Sequence, residues 1–174
     1  NIVRLLHHGA VDAAAAAMEP RLVEGSTWIA TGLAPGGTLE SVLGQWPFAR
    51  VRQVLLSLLD ALAHAHARGL LHLDVKPANV LLDGGEVRLV DFGLASAAGS
   101  GVARVAGTPA YMAPEQFRGR EIGPWTDLYA VGCLAAALVQ GSPPFGGDSV
   151  EDLRAAHFDE QPRIEPMIPT PQGF

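Results

Sequence analysis

His72-Leu73-Asp74-Val75-Lys76-Pro77-Ala78-Asn79 leads into Val80-Leu81-Leu82, the turn residues Asp83-Gly84-Gly85, a returning apolar run Val87 to Val90, and then Asp91-Phe92-Gly93. The middle of this stretch reads as a β-hairpin: two short apolar runs joined by Gly-rich turn residues. A hairpin returns the chain close to where it left, so Asn79 and Asp91, one at each end, come near each other. Both offer oxygen ligands, the donor type that a hard cation such as Mg²⁺ prefers. Asp74 and Lys76 are two apart, and in an extended loop they face one site. A carboxylate, a cation and a pair of metal-binding oxygens are the set that phosphoryl transfer uses.

Outward from this block, the chain alternates short strands with helices. Val51, Val54, Leu55, Leu58, Leu62 and Ala65 follow the i, i+3, i+4, i+7 rule and predict a helix over 48–68 that ends at Gly69. His64 and His66 near its end read as surface or packing residues; at that spacing they point to different faces, a poor metal pair. A second helix is expected from about Asp127 to Gln140, apolar nearly all round and therefore buried, stopped by Gly141-Ser142-Pro143-Pro144. Ser149 to His157 reads as a last short helix, and the Pro-rich tail from Pro162 has no clear element. Toward the start, Ile2 to Leu6 reads as a strand and Ala13 to Ala17 as a loop insertion or helical turn. Arg21-Leu22-Val23 and Trp28-Ile29-Ala30-Thr31 read as a weak hairpin about Glu24-Gly25-Ser26, and Thr38 as the cap of a short helix through Leu43. Residues 94–113 are small and aperiodic, and suggest a loop that orders on demand. Trp28, Trp46 and Trp125 are expected to pack rather than to bind ligand.

Composition narrows the function. The hydrophobic share is 48%, ample for a packed core, and the formal charge is −6 with no basic stripe. Nucleic acid is therefore not an expected partner. The apolar run Leu134 to Val139 is far shorter than the ~20 residues of a membrane span. The single cysteine, Cys133, lies in the same region, reads as a buried structural thiol and fits a reducing cytoplasm. Of twelve Lys and Arg, eleven are Arg, and the one lysine is Lys76. A compact ammonium can touch a phosphate oxygen as a point charge where a planar guanidinium does not fit, which gives this exception a chemical reason.

The ordered set of motifs resembles the catalytic domain of the Ser/Thr protein kinases, of the kind found in bacteria. His72 to Asn79 is similar to the family's catalytic loop, and Asp91-Phe92-Gly93 to its metal-binding motif. Gly107-Thr108-Pro109-Ala110-Tyr111-Met112-Ala113-Pro114-Glu115 is similar to its substrate-docking block. Asp127 and Gly132 match the pattern opening the buried central helix, and Pro143-Pro144-Phe145 the segment after it. The resemblance implies an α+β fold with a mostly helical large lobe, a remnant of a β-rich small lobe and a hinge. Residues 1–31 would be the small-lobe remnant, 32–37 the hinge and 38–174 an incomplete large lobe. It implies ATP and Mg²⁺ as cofactors and protein Ser/Thr hydroxyls as substrate. Asp74 would take the hydroxyl proton, Lys76 would face the γ-phosphate, Thr108 would brace both, and Asn79 and Asp91 would bind Mg²⁺. Thr31 matches the gatekeeper, with the backbone of Gly32 and Ala34 at adenine. His72 and Phe92 match packing positions, and Glu115 an ion-pair residue whose arginine would lie beyond Phe174.

Three departures follow from the same resemblance. The family's Gly-rich loop, strand lysine and helix glutamate have no counterpart within these residues, so the chain alone is expected to be barely active, as a truncation of a longer active kinase. Leu73 stands where many members carry an arginine that receives a loop phosphate. The enzyme is then expected to work without that phosphate. Replacing both Ser96 and Ser100 with Ala should leave its activity largely unchanged, and a collapse in rate would refute this. Two other readings compete: a pseudokinase acting as a binding module, and a small-molecule phosphotransferase of related fold. The second is disfavoured because those enzymes lack a block like Gly107 to Glu115.

Overall fold

The computed structural model describes residues 1–92, 96–97 and 107–171. Strand β1 (Leu5–Ala10) and strand β2 (Thr27–Thr31) form an antiparallel pair around helix α1 (Ala13–Met18). Asp12 caps α1, its Oδ1 accepting the Ala15 amide at 2.7 Å. The connection after β2 enters a 3₁₀ turn (Leu39–Val42), and helix α2 (Phe48–His66) follows. Strand β3 (Leu70–Leu71) leads to the loop holding Asp74 and to a second 3₁₀ turn (Pro77–Asn79). Strands β4 (Val80–Asp83) and β5 (Glu86–Leu89) make the expected hairpin, with Val80 opposite Leu89 and Asp83 opposite Glu86. Strand β6 (Ser96–Ala97) pairs antiparallel with β3. A third 3₁₀ turn (Pro109–Tyr111) precedes helices α3 (Pro114–Arg118), α4 (Pro124–Gln140) and α5 (Val150–Asp159).

One core joins α2, the β4–β5 hairpin and α4. The α2 stripe read from periodicity is the buried face: Val51, Val54, Leu58, Leu62 and Ala65 are each at most 3% exposed. Burying a Val or Leu side chain fully contributes about 1.5–3 kcal/mol, so this stripe is what holds the helix in place. Against it pack Leu134, Ala137 and Leu138 of α4 and Val87 and Leu89 of β5. Helix α4 is buried on most of its circumference, as its sequence indicated. Cys133 is buried there, and loss of water around it pushes its pKa up to about 12, so the thiol is inert. Among the described residues no helix is long and apolar enough to cross a membrane.

The first part of the chain differs from its sequence reading. The first strand spans Leu5–Ala10, not residues 2–6; Ile2 instead bridges to Leu89 in parallel. Residues 21–23 form no strand. The partner of β2 is β1, and Arg21, Leu22 and Val23 are exposed, with Arg21 forming a double contact with the carboxylate of Glu19. Thr38 does precede a short turn, yet its side chain makes no capping bond. Trp28 and Trp125 pack as expected but at the surface: they are 43% and 53% exposed, with their rings over Gly9 and Gly123. Only Trp46 packs against the core, with the Arg50 guanidinium over its ring.

Candidate active site

Asp74 is the hub of the site. Its Oδ1 accepts the Thr108 hydroxyl at 2.8 Å, and its Oδ2 lies 2.8 Å from Lys76 Nζ and 3.1 Å from Asn79 Nδ2. Lys76 Nζ also donates to Thr108 Oγ1 at 2.7 Å. The Thr108 hydroxyl thus accepts from the ammonium and donates its one proton to the carboxylate. Asp74 and Lys76 side chains are 11% and 24% exposed: sheltered enough to strengthen their attraction, open enough for a substrate to reach them. The triangle closes because Gly107, at φ +134°, lets the incoming chain turn beside Leu73, where a Cβ would stand 3.2 Å from the Leu73 carbonyl.

Asn79 is tied down at the far end of the same loop. Its Nδ2 donates to the Asp74 carbonyl at 2.8 Å as well as to the carboxylate. With the amide nitrogen committed to Asp74, the amide oxygen is the end that can coordinate a cation. The hairpin returns as expected: Val90 donates its amide to the Asn79 carbonyl at 3.0 Å, and Asp91 is the next residue, exposed and at φ 61°. Asn79 and Asp91 supply two oxygen donors, which fits Mg²⁺ because that ion keeps water and phosphate oxygens for its remaining positions. No group of three or more His, Cys, Asp or Glu able to hold a metal occurs among the described residues. Gly93 and Ser100 lie outside the described residues.

The loop itself is suspended from α4. Asp127, 1% exposed, accepts the Leu73 amide on Oδ1 at 2.8 Å and the His72 amide on Oδ2 at 2.9 Å. His66 Nε2 lies 2.7 Å from the same Oδ2. Of the surface and packing alternatives read for His66, packing is the one seen: its side chain is largely buried and donates to a buried carboxylate. Leu73 sits at φ 67°, a left-handed conformation that costs a residue with a Cβ roughly 1–2 kcal/mol. Its amide is held by Asp127 and its carbonyl accepts Gln116 Nε2 at 3.0 Å, so the peptide groups on both sides of the strained residue are pinned. His72 completes the support. Its Nε2–H donates to the Val90 carbonyl at 2.9 Å, its Nδ1 accepts the Asp74 amide at 3.3 Å, and its ring meets Phe92 at 4.6 Å.

Glu115 accepts the Thr126 hydroxyl on Oε1 at 2.7 Å. The residues read as an adenine site lie at the end of β2 and in the segment that follows it. Thr31 ends β2, the Gly32 amide donates to the Arg4 carbonyl at 3.0 Å, and Gly32 and Ala34 help line a cavity of about 300 Å³. Their segment is stitched to the hairpin, because Gly36 donates to the Leu82 carbonyl and Leu82 donates to Gly37. Only glycine allows this approach at residue 36, where a Cβ would come within 2.7 Å of the Leu82 oxygen. Gln116 escaped the sequence reading, as did the partner of His66, since nothing in their local pattern marks a contact so far along the chain.

A sequence profile of the protein kinase domain matches residues 1–172, nearly the whole chain. The chain belongs to the protein kinase domain family. The kinase domain is 44% identical over 135 residues to the serine/threonine-protein kinase PkaA of Streptomyces coelicolor, covering 72% of this chain and 25% of PkaA. It is 42% identical over 147 residues to PknL of Mycobacterium tuberculosis, covering 78% of this chain and 36% of PknL. Against pkn3 of Myxococcus xanthus the figures are 35% over 155 residues, 80% and 28%. The chain thus spans about a quarter to a third of the length of these bacterial Ser/Thr kinases, and its α+β architecture is that of the family.

Proposed function

We propose that the polypeptide carrying this kinase domain transfers the γ-phosphate of Mg²⁺-ATP to serine and threonine hydroxyls of proteins. The observation that carries this reading is the closed triangle of Asp74, Thr108 and Lys76. Bound Mg²⁺-ATP supplies the phosphoryl group, with the metal drawing charge off the phosphate oxygens. Asp74 orients the substrate hydroxyl and accepts its proton, a contribution of about 10²–10⁴-fold. Lys76 places its positive charge beside the transferred group, and Thr108 keeps both side chains at fixed separation. Asn79 and Asp91 hold the metal. In this reading residues 1–31 contribute small-lobe strands, 32–37 form the hinge and 38–174 belong to the large lobe. Thr31, Gly32 and Ala34 border adenine, and the ATP requirement places the reaction in the cytoplasm.

The block Gly107 to Glu115 supports a protein substrate over a small one, because small-molecule phosphotransferases lack such a block and here it is anchored beside Asp74 through Thr108. Its Tyr111, Met112 and Ala113 are all buried. The test is direct. The complete gene product, given Mg²⁺ and γ-labelled ATP, is expected to label Ser or Thr in an added protein, and EDTA should stop the labelling. Thermal stabilisation by ATP without transfer would sink this reading in favour of a pseudokinase.

A further inference from the structure

We propose that His157 is a positioning residue for the protein substrate, fixing through Pro109 the loop that carries Thr108. The proposal rests on the protein-kinase activity argued above. His157 lies in the last turn of α5, only 6% exposed, and both of its ring nitrogens are engaged. Nε2 is 2.9 Å from the Pro109 carbonyl, and Nδ1 is 2.7 Å from the Tyr129 hydroxyl. A carbonyl only accepts, so Nε2 bears the proton, and Nδ1 of the neutral ring accepts from Tyr129. Burial also pushes the His157 pKa below the ordinary histidine value, which keeps the ring in this neutral form.

The geometry makes this more than packing. The Pro109 carbonyl also receives the Met112 amide, but at 3.3 Å, so the bond from His157 is the shorter of its two. Thr108, the adjacent residue, spends its hydroxyl on Asp74 and Lys76. The loop is therefore anchored at two neighbouring residues: Thr108 to the reacting groups, Pro109 to α5 and, through Tyr129, to α4. An aromatic cluster fixes the ring itself, with Phe145 at 4.4 Å and Phe117 at 5.6 Å between centroids. If volume alone mattered here, phenylalanine would serve at 157 as well as histidine.

That contrast defines the experiment. In the complete gene product, His157→Phe keeps the aromatic volume and removes both polar contacts, while His157→Gln places an amide donor where Nε2 stood. His157→Phe is expected to raise the KM for a Ser/Thr peptide by roughly tenfold, the effect of losing the shorter of the two bonds to the Pro109 carbonyl, with the KM for ATP unchanged. His157→Gln should recover most of the loss. Amide exchange at Tyr111 and Met112, whose N–H groups close the 3₁₀ turn, should accelerate in the Phe variant and return toward normal in the Gln variant. Unchanged peptide KM and unchanged exchange in His157→Phe would overturn the proposal. A wild-type enzyme that transfers no phosphate would overturn the kinase reading instead, and the exchange measurement would still decide the role of His157.

Discussion

Asp74→Asn is expected to reduce phosphotransfer by the complete gene product by about 10²–10⁴-fold, with the melting temperature close to that of the wild type. The carboxylate receives hydrogen bonds from Thr108, Lys76 and Asn79, all of them donors toward it. An amide of the same shape offers only one oxygen. That oxygen will turn to the Lys76 ammonium and the Asn79 NH₂ group, which can only donate. Its NH₂ then faces Thr108, whose hydroxyl can accept that donor and re-aim its own proton. The local network therefore survives with one rearranged hydroxyl, and the cost in stability is small. What asparagine cannot do is take up the substrate proton. Single-turnover transfer from labelled ATP, with a thermal melt on the same sample, separates the two effects. Activity within a factor of a few of wild type would mean that the carboxylate orients nothing and accepts nothing, and the assignment of Asp74 would fail.

The parts of this site that were legible in the sequence are those whose partners are close along the chain or fixed by a regular element. Asp74, Lys76 and Asn79 lie within one short loop, and the β4–β5 hairpin brings Asp91 back by geometry that its turn residues announce. Helices α2 and α4 were legible because a buried face imposes a period of 3.6 on its apolar residues. The support of the site was not legible, since it consists of single side chains reaching distant backbone. His66 and Asp127 are 61 residues apart, and Gln116 reaches a carbonyl 43 residues away; no local pattern encodes either contact. The start of the chain failed for a related reason. Residues 21–23 have strand-like composition, but pairing is decided by which edge is available, and β1 takes the edge of β2.

The second large effect is expected at Asp127, which touches no reacting group. Asp127→Ala removes the carboxylate shared by the His72 amide, the Leu73 amide and His66 Nε2, in a place almost closed to water. Each buried donor left without a partner costs about 1–3 kcal/mol, and three donors lose theirs here. Against a domain stability of about 5–15 kcal/mol, that is a large fraction of the whole. A second consequence falls on chemistry. Leu73 keeps its left-handed conformation because Asp127 and Gln116 hold the peptide groups on both sides of it. Released from one of them, it relaxes toward ordinary backbone and carries Asp74 with it, and a displacement of about 1 Å at a reacting group lowers turnover by around 10²-fold. Asp127→Asn should be intermediate, because its oxygen satisfies one amide while its NH₂ confronts the other. Urea unfolding of the three proteins should rank wild type above Asn above Ala, with activity falling in the same order while each is still folded. Equal midpoints for wild type and Asp127→Ala would show that water or another group satisfies these amides, and that the loop is held from elsewhere.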